Sequence, residues 1–227
     1  MKVRWPSEIP AAGIFGVKFY YFELNYHKFT HPQNFCNVDM RLFIALAAAI
    51  LDGIHYYGLK GINTAGIYND RNIRGGSTKS THAYGLGIDI TGFLILSDGE
   101  WWVDNDEHKP KLQMTATEIM MPYFPDVITW DFGQWRGGHP HEFSKGTRKM
   151  HKDHYHINPT RWEDFEVRIN EWHIRAVERV VAEFGYPTIE SYQLARGLKE
   201  DGIAGRLTCT KIVQDIIEQG DDDGDST

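Results

Sequence analysis

The chain has 227 residues, 41% of them hydrophobic and 24% charged, with a formal net charge of -7, the balance of an ordinary globular protein with material for one large or two small domains. That negative charge, with no basic tract anywhere, excludes a general nucleic-acid surface and any broad attraction to an anionic polymer. The opening run Met1-Lys2-Val3-Arg4-Trp5-Pro6 has no apolar core of the secretory kind, so export by the general route is not expected.

The first strong element is the alanine-rich run Leu42 to Leu51. It predicts a core helix, capped at Asn37 or Asp39 and stopped at Gly53 or Gly58, and it is too short to span a bilayer. Gly61 to Thr78 predicts a short strand and then a polar loop that holds Arg71 and Arg74.

The next stretch, Ser80-Thr81-His82-Ala83-Tyr84-Gly85-Leu86-Gly87-Ile88-Asp89, carries the candidate chemistry. His82 and Asp89 are ligand types that zinc takes, but residues seven apart on one strand would point to opposite faces. A turn must intervene, and Gly85 and Gly87 supply it. From Gly87 to Leu96 the sequence reads as a buried strand interrupted by one carboxylate, which needs a charged partner to offset its desolvation.

Phe93 to Val103 predicts a β-hairpin turning at Ser97-Asp98-Gly99-Glu100, followed by a charged loop from Asp104 to Lys111 and a short helix from Thr115 to Pro122. Gly133 to His141 has the composition of a mobile loop. Its His139 and His141 are weighed as rival ligands, but their glycine and proline setting predicts no rigid strand, and no carboxylate is spaced to complete a site.

Asp153-His154-Tyr155-His156-Ile157 alternates as a strand should, which puts His154 and His156 on one face. His82, Asp89 and His156 are therefore the predicted zinc ligands, three protein groups with a fourth position left open, as catalytic zinc sites have.

The last third is helical by pattern: Glu171 to Phe184, Thr188 to Arg196 and Arg206 to Gln219, with glycines and Pro187 at the breaks. The end, Asp221-Asp222-Asp223-Gly224-Asp225-Ser226-Thr227, reads as a disordered acidic tail. Cys36 and Cys209 lie far apart without C-x-x-C spacing and are expected as reduced thiols.

Two resemblances follow from these residues. Ser80-x-His82-x-x-Gly85-x-Gly87-x-Asp89 is similar to the Ser-x-His-x-x-Gly-x-Ala-x-Asp signature of the zinc peptidases that include D-Ala-D-Ala carboxypeptidases and L-alanyl-D-glutamate endopeptidases. The run from Tyr68 to Gly99, and Asp153 to His156, look most like the extensin-like C-terminal branch of that group. This chain departs from it at Tyr68-Asn69-Asp70-Arg71, where the branch usually carries a cysteine before the arginine.

Tyr192-Gln193-x-x-x-Gly197-Leu198-x-x-Asp201-Gly202-Ile203-x-Gly205-x-x-Thr208 resembles the pattern of the three-helix peptidoglycan-binding domain. The likeness implies an α+β fold: a small antiparallel sheet with flanking helices that carries the zinc site in a peptidase domain over 1–162, a three-helix domain over 168–219, and a tail over 220–227.

It further implies Asp153 as general base, His154 and Arg71 as oxyanion partners, and Ser80 as a substrate contact, with Asp153 and His154 interchangeable in role. The implied protein is a monomeric, endolysin-like enzyme of bacteriophage type that cuts bacterial peptidoglycan, without nucleic-acid partners or membrane insertion. It would accumulate in the host cytoplasm and reach the wall once the membrane is breached. The alternative is a non-catalytic, zinc-stabilised module that binds the wall or a phage structure.

Overall fold

The computed structural model describes residues 3, 5–21, 32–73, 76–77, 79–95, 101–103, 118–129, 133–136, 139–141, 154–159 and 170–222. Its centre is helix α1 (Met40–Tyr57), in which every residue from Leu42 to Ile50 is fully buried. A helix that is apolar all round belongs inside a core, and this one packs against strands β1 (Pro6–Ile9), β3 (Phe35–Asp39) and β4 (Leu59–Gly66), and against helices from the end of the chain.

Of the two predicted caps at each end, the structure uses Asp39 and Gly58. The Asp39 carboxylate accepts the Arg41 N–H at 3.1 Å, and Gly58, at φ 63, donates its N–H to carbonyls of the last turn. Gly53 has another use: a Cβ there would lie 2.8 Å from Leu59 Cδ2, so the bare backbone lets β4 come close. With both ends resolved, α1 spans 18 residues, long and apolar enough to cross a membrane, yet 72% of it is buried inside the fold.

β1 and β3 form a two-stranded antiparallel ribbon. The main sheet has eight strands in the order β2-β4-β5-β10-β7-β8-β9, with β6 added on β5. The strands not yet placed are β2 (Lys18–Tyr21), β5 (Ile88–Ile95), β6 (Trp101–Val103), β7 (Asp126–Thr129), β8 (Gly133–Arg136), β9 (His139–His141) and β10 (Tyr155–Asn158). All pairs are antiparallel except β2 with β4, so the molecule is of the α+β class expected from its sequence.

β5 is the strand around which the sheet is arranged. β4 lies along one edge, while the other is shared: Ile88–Ile90 pair with β10, and Gly92–Leu94 pair with β6. The predicted hairpin is thus present as β5–β6, its turn lying outside the described residues, as does the charged loop from Asp104 to Lys111.

Gly133–Arg136 and His139–His141 are not the loop that composition suggested but the paired strands β8 and β9, and the two residues between them lie outside the described ones. The sequence signal was there. Gly137-Gly138 is a dipeptide that two-residue hairpin turns favour, and loop-like composition hid it.

The end of the chain folds as predicted into α2 (Glu171–Glu183), α3 (Ile189–Ala195) and α4 (Arg206–Asp222). Asn170 caps α2, and Thr188 with Ser191 forms a reciprocal capping box on α3. α4 continues to Asp222, past the predicted end at Gln219, and the remainder of the acidic tail lies outside the described residues.

Helices α2 and α4 pack on α1, and one continuous hydrophobic cluster joins residues of the sheet, α1 and all three C-terminal helices. Arg179 of α2 donates to Asp52 of α1 at 2.9 Å, and Tyr123 donates to the same carboxylate at 2.6 Å. Deep in this contact lie Trp5, the bidentate Arg41–Asp39 pair, His173 and Cys209. Both cysteines are free, Cys209 buried and Cys36 exposed.

Candidate metal centre

The glycine stretch solves the seven-residue spacing in two steps. Thr81–Tyr84 form one turn of 3-10 helix, Gly85 ends it at φ 68, and the chain enters β5 at Ile88. His82 leaves the short helix and Asp89 the strand, so the two meet although no single strand could present both.

Gly85 is required twice over. Beyond its left-handed backbone, a Cβ there would lie 2.2 Å from the carbonyl oxygen of Asn37, while its own carbonyl accepts the Asp39 N–H at 2.9 Å. The loop is thereby seated on the start of α1.

On the strand side, β10 sets His156 directly opposite Asp89. The β4–β5 ladder is irregular at the same level, where Thr64 pairs with Ile90 and Gly66 with Asp89, and the Thr64 hydroxyl donates to the Asp89 carbonyl at 2.7 Å. Such a bulge aims a side chain that a regular ladder would not.

Three ligand atoms converge. His156 Nδ1 lies 2.7 Å from Asp89 Oδ1, and His82 Nε2 lies 3.2 Å from each of them. Ligands about 2.0–2.1 Å from a tetrahedral zinc stand about 3.3 Å apart. The two His82 separations are close to that spacing and the His156–Asp89 one is shorter; among the described residues the triad is the one group of three His, Cys, Asp or Glu side chains that could hold a metal ion.

The outward nitrogens are also consistent with this. His82 Nδ1 donates to the Ile67 carbonyl at 2.9 Å, and His156 Nε2 lies 3.2 Å from Thr81 Oγ1. A proton held on His82 Nδ1 leaves its Nε2 lone pair facing inward, and a proton on His156 Nε2 would do the same for Nδ1, the arrangement that ligating histidines need.

Protonation points the same way. Burial would raise the Asp89 pKa, but the imidazoles of His156 and His82 set against it outweigh that and hold the carboxyl well below its usual range. Burial lowers that of His156 against the pull of Asp89. An ionised carboxylate beside a neutral imidazole is the state in which both bind a metal. The Asp89 and His156 side chains keep 16% and 14% of their exposure against 4% for His82, so the site opens to solvent on one side.

The other predicted residues fall as follows. His154 Nε2 lies 3.7 Å from Asp89 Oδ1, beside the triad. Ser80 is buried at the start of the 3-10 helix, its N–H donating to the Arg71 carbonyl at 3.1 Å. Arg71 thus belongs to the same loop base, its side chain exposed. Asp153 and Arg74 lie outside the described residues.

His139 and His141 stand on β9, three strands from β10 across β7 and β8, and are not in the triad. Sequence reasoning missed Thr81, Thr64 and the Ile67 carbonyl. None of these types signals a role until the fold brings it to a ligand. No family model, curated protein or solved structure matches the chain.

Proposed function

We propose that the protein is a zinc-dependent peptidase of bacterial peptidoglycan that hydrolyses a peptide bond in the stem peptide. The observation that carries this reading is the convergence of His82, Asp89 and His156 on one point, in the order and spacing of the peptidase signature that the sequence resembles. A zinc ion held there supplies a Lewis acid that polarises a carbonyl and makes water nucleophilic at neutral pH.

The chain's own residues do the rest. His82 and His156 present neutral nitrogens, and Asp89 brings the negative charge. Asp153, next in sequence to His154, takes a proton from the attacking water and returns it to the leaving amine. His154, through Nε2, and Arg71 donate hydrogen bonds to the carbonyl oxygen as it gains charge. The alternative assignment exchanges the roles of Asp153 and His154. Ser80 would contact substrate, and the three C-terminal helices, similar in pattern to a wall-binding unit, would hold the polymer. In a bacteriophage setting the enzyme works as a monomeric endolysin, waiting in the host cytoplasm until the membrane is breached.

The test is digestion of purified peptidoglycan by native protein, chelated protein and zinc-restored protein, with mass analysis of what is released. Soluble muropeptides from the first and third samples alone are expected, and their masses name the bond. Walls that stay intact under a protein carrying one zinc per chain would overturn the peptidase reading in favour of a binding module.

A further inference from the structure

The two histidines of the triad are held by different kinds of partner. His82 Nδ1 faces the Ile67 carbonyl at 2.9 Å, and a carbonyl can only accept. The proton stays on Nδ1, and His82 is locked with its Nε2 lone pair turned inward. His156 Nε2 faces a hydroxyl instead, Thr81 Oγ1 at 3.2 Å, which can donate or accept.

We infer that Thr81 is a positioning residue of the centre: its hydroxyl lets His156 present Nδ1 to a metal and carry its proton on Nε2. The inference rests on the reading of the triad as a metal site. With no cation present, the 2.7 Å approach of His156 Nδ1 to Asp89 Oδ1 places a proton between them, and Thr81 donates to Nε2. Were a cation to take the triad, the proton would pass from Nδ1 to solvent and one from solvent to Nε2, leaving the imidazole neutral, and the Thr81 hydroxyl would rotate to accept the Nε2–H. A carbonyl in place of Thr81 would oppose the first state, and an N–H donor the second. Only a group of both kinds serves each.

Space for that hydroxyl comes from Gly87. A Cβ at this position would lie 2.5 Å from Thr81 Oγ1 and 3.2 Å from Thr81 Cβ. The similar signature has alanine here, and alanine would collide with Thr81 as it stands. Thr81 and Gly87 therefore act as a pair, and the departure from the signature is the room that the hydroxyl occupies.

The test uses the full chain with Thr81→Val, Thr81→Ser, Thr81→Ala, Gly87→Ala and the Thr81→Ala/Gly87→Ala double variant. Zinc affinity is measured by competition with a chromophoric chelator, and His156 ring nitrogens are followed by NMR with and without zinc. Loss of an outer partner costs roughly 10–100-fold in metal affinity. That loss is expected for Thr81→Val and Gly87→Ala, whereas Thr81→Ser stays within a few-fold of native. The double variant should fall close to Thr81→Ala alone, because the 2.5 Å clash with the hydroxyl is gone and only the 3.2 Å approaches to the Cβ of residue 81 and the His82 nitrogen remain, which shifts of a few tenths of an ångström relieve.

In the metal-free native protein the His156 Nε2 resonance should differ from that of Thr81→Val, with Thr81→Ser restoring it. On zinc loading the proton should appear on Nε2. Native-like affinity in Thr81→Val, or an affinity in Thr81→Ser as low as in Thr81→Val, would overturn the inference. So would a His156 Nε2 resonance that ignores the hydroxyl. If the hydroxyl-dependent resonance is present but the native protein takes up no zinc, the metal reading of the triad falls, and the positioning role with it.

Discussion

The metal centre and the joint between α3 and α4 both gather buried polar side chains, and they satisfy them in opposite ways. At the joint, Gln193 Nε2 donates to Asp201 Oδ1, the Ile203 carbonyl and Thr208 Oγ1, while its Oε1 accepts the N–H groups of Asp201 and Gly202. Every polar atom of that amide is used within the fold, and nothing is left to bind. At the triad, three atoms able to ligate a metal crowd within 3.2 Å of one another while the outer nitrogens face Ile67 and Thr81. A closed network fixes a shape. Ligand atoms gathered at one point and open to solvent on one side could hold a cation.

The largest expected effect comes from Asp89→Asn, which keeps the shape and removes the charge. Zinc affinity should fall by more than the ~100-fold that an outer partner is worth, while the metal-free protein melts close to native. Isothermal titration alongside thermal melts checks both, and an Asn variant that binds zinc as native would erase the contrast between the two regions.

Gln193→Ala should do the reverse. Leaving the buried partners of that amide unsatisfied costs about 3 kcal/mol of stability, with zinc affinity unchanged. Urea unfolding beside chelator competition reads the two separately, and a parallel loss of both would break the comparison.

A smaller effect is expected from acid. His173 is buried among Trp5, Cys209 and the Arg41–Asp39 pair, and burial pushes its pKa down to about 4. A histidine depressed in the folded state takes up its proton more readily when unfolded. Its contribution is therefore whole above about pH 6.5 and is lost as pH falls toward 4, by about 2 kcal/mol at pH 5. Denaturant unfolding of metal-free protein from pH 7 to 5 should show that slope, and His173→Gln should flatten it. An unchanged slope in the variant would place the acid sensitivity elsewhere.

What could be read in the sequence, and what could not, divides by distance along the chain. The centre of α1 was legible because its apolar run has only one reading, and the three C-terminal helices because caps and glycines bracket them. His82, Asp89 and His156 were legible as a group because few residue types ligate metal ions and the glycines between the first two demanded a turn. The choice of Asp39 over Asn37 as the cap was not, since both side chains accept. It is decided by the Trp5 N–H, 34 positions away, together with the Arg41 guanidinium two residues on. Thr81 looked like any turn residue, because the imidazole it serves lies 75 positions away. The parallel pairing of β2 with β4 joins segments on either side of α1, and nothing local announces it.

The packing of α2 and α4 on α1 bears on how this protein can be re-engineered. A chain that ends in a cluster of helices invites the exchange of that unit for another, cut at the connection before it. Here such a cut would strip a helix that is buried from Leu42 to Ile50 of part of its cover, and would leave Asp52 without Arg179. A graft that keeps the part of the chain carrying the triad soluble must carry α2 and α4 along with α1, or repaint the face of α1 that they leave bare.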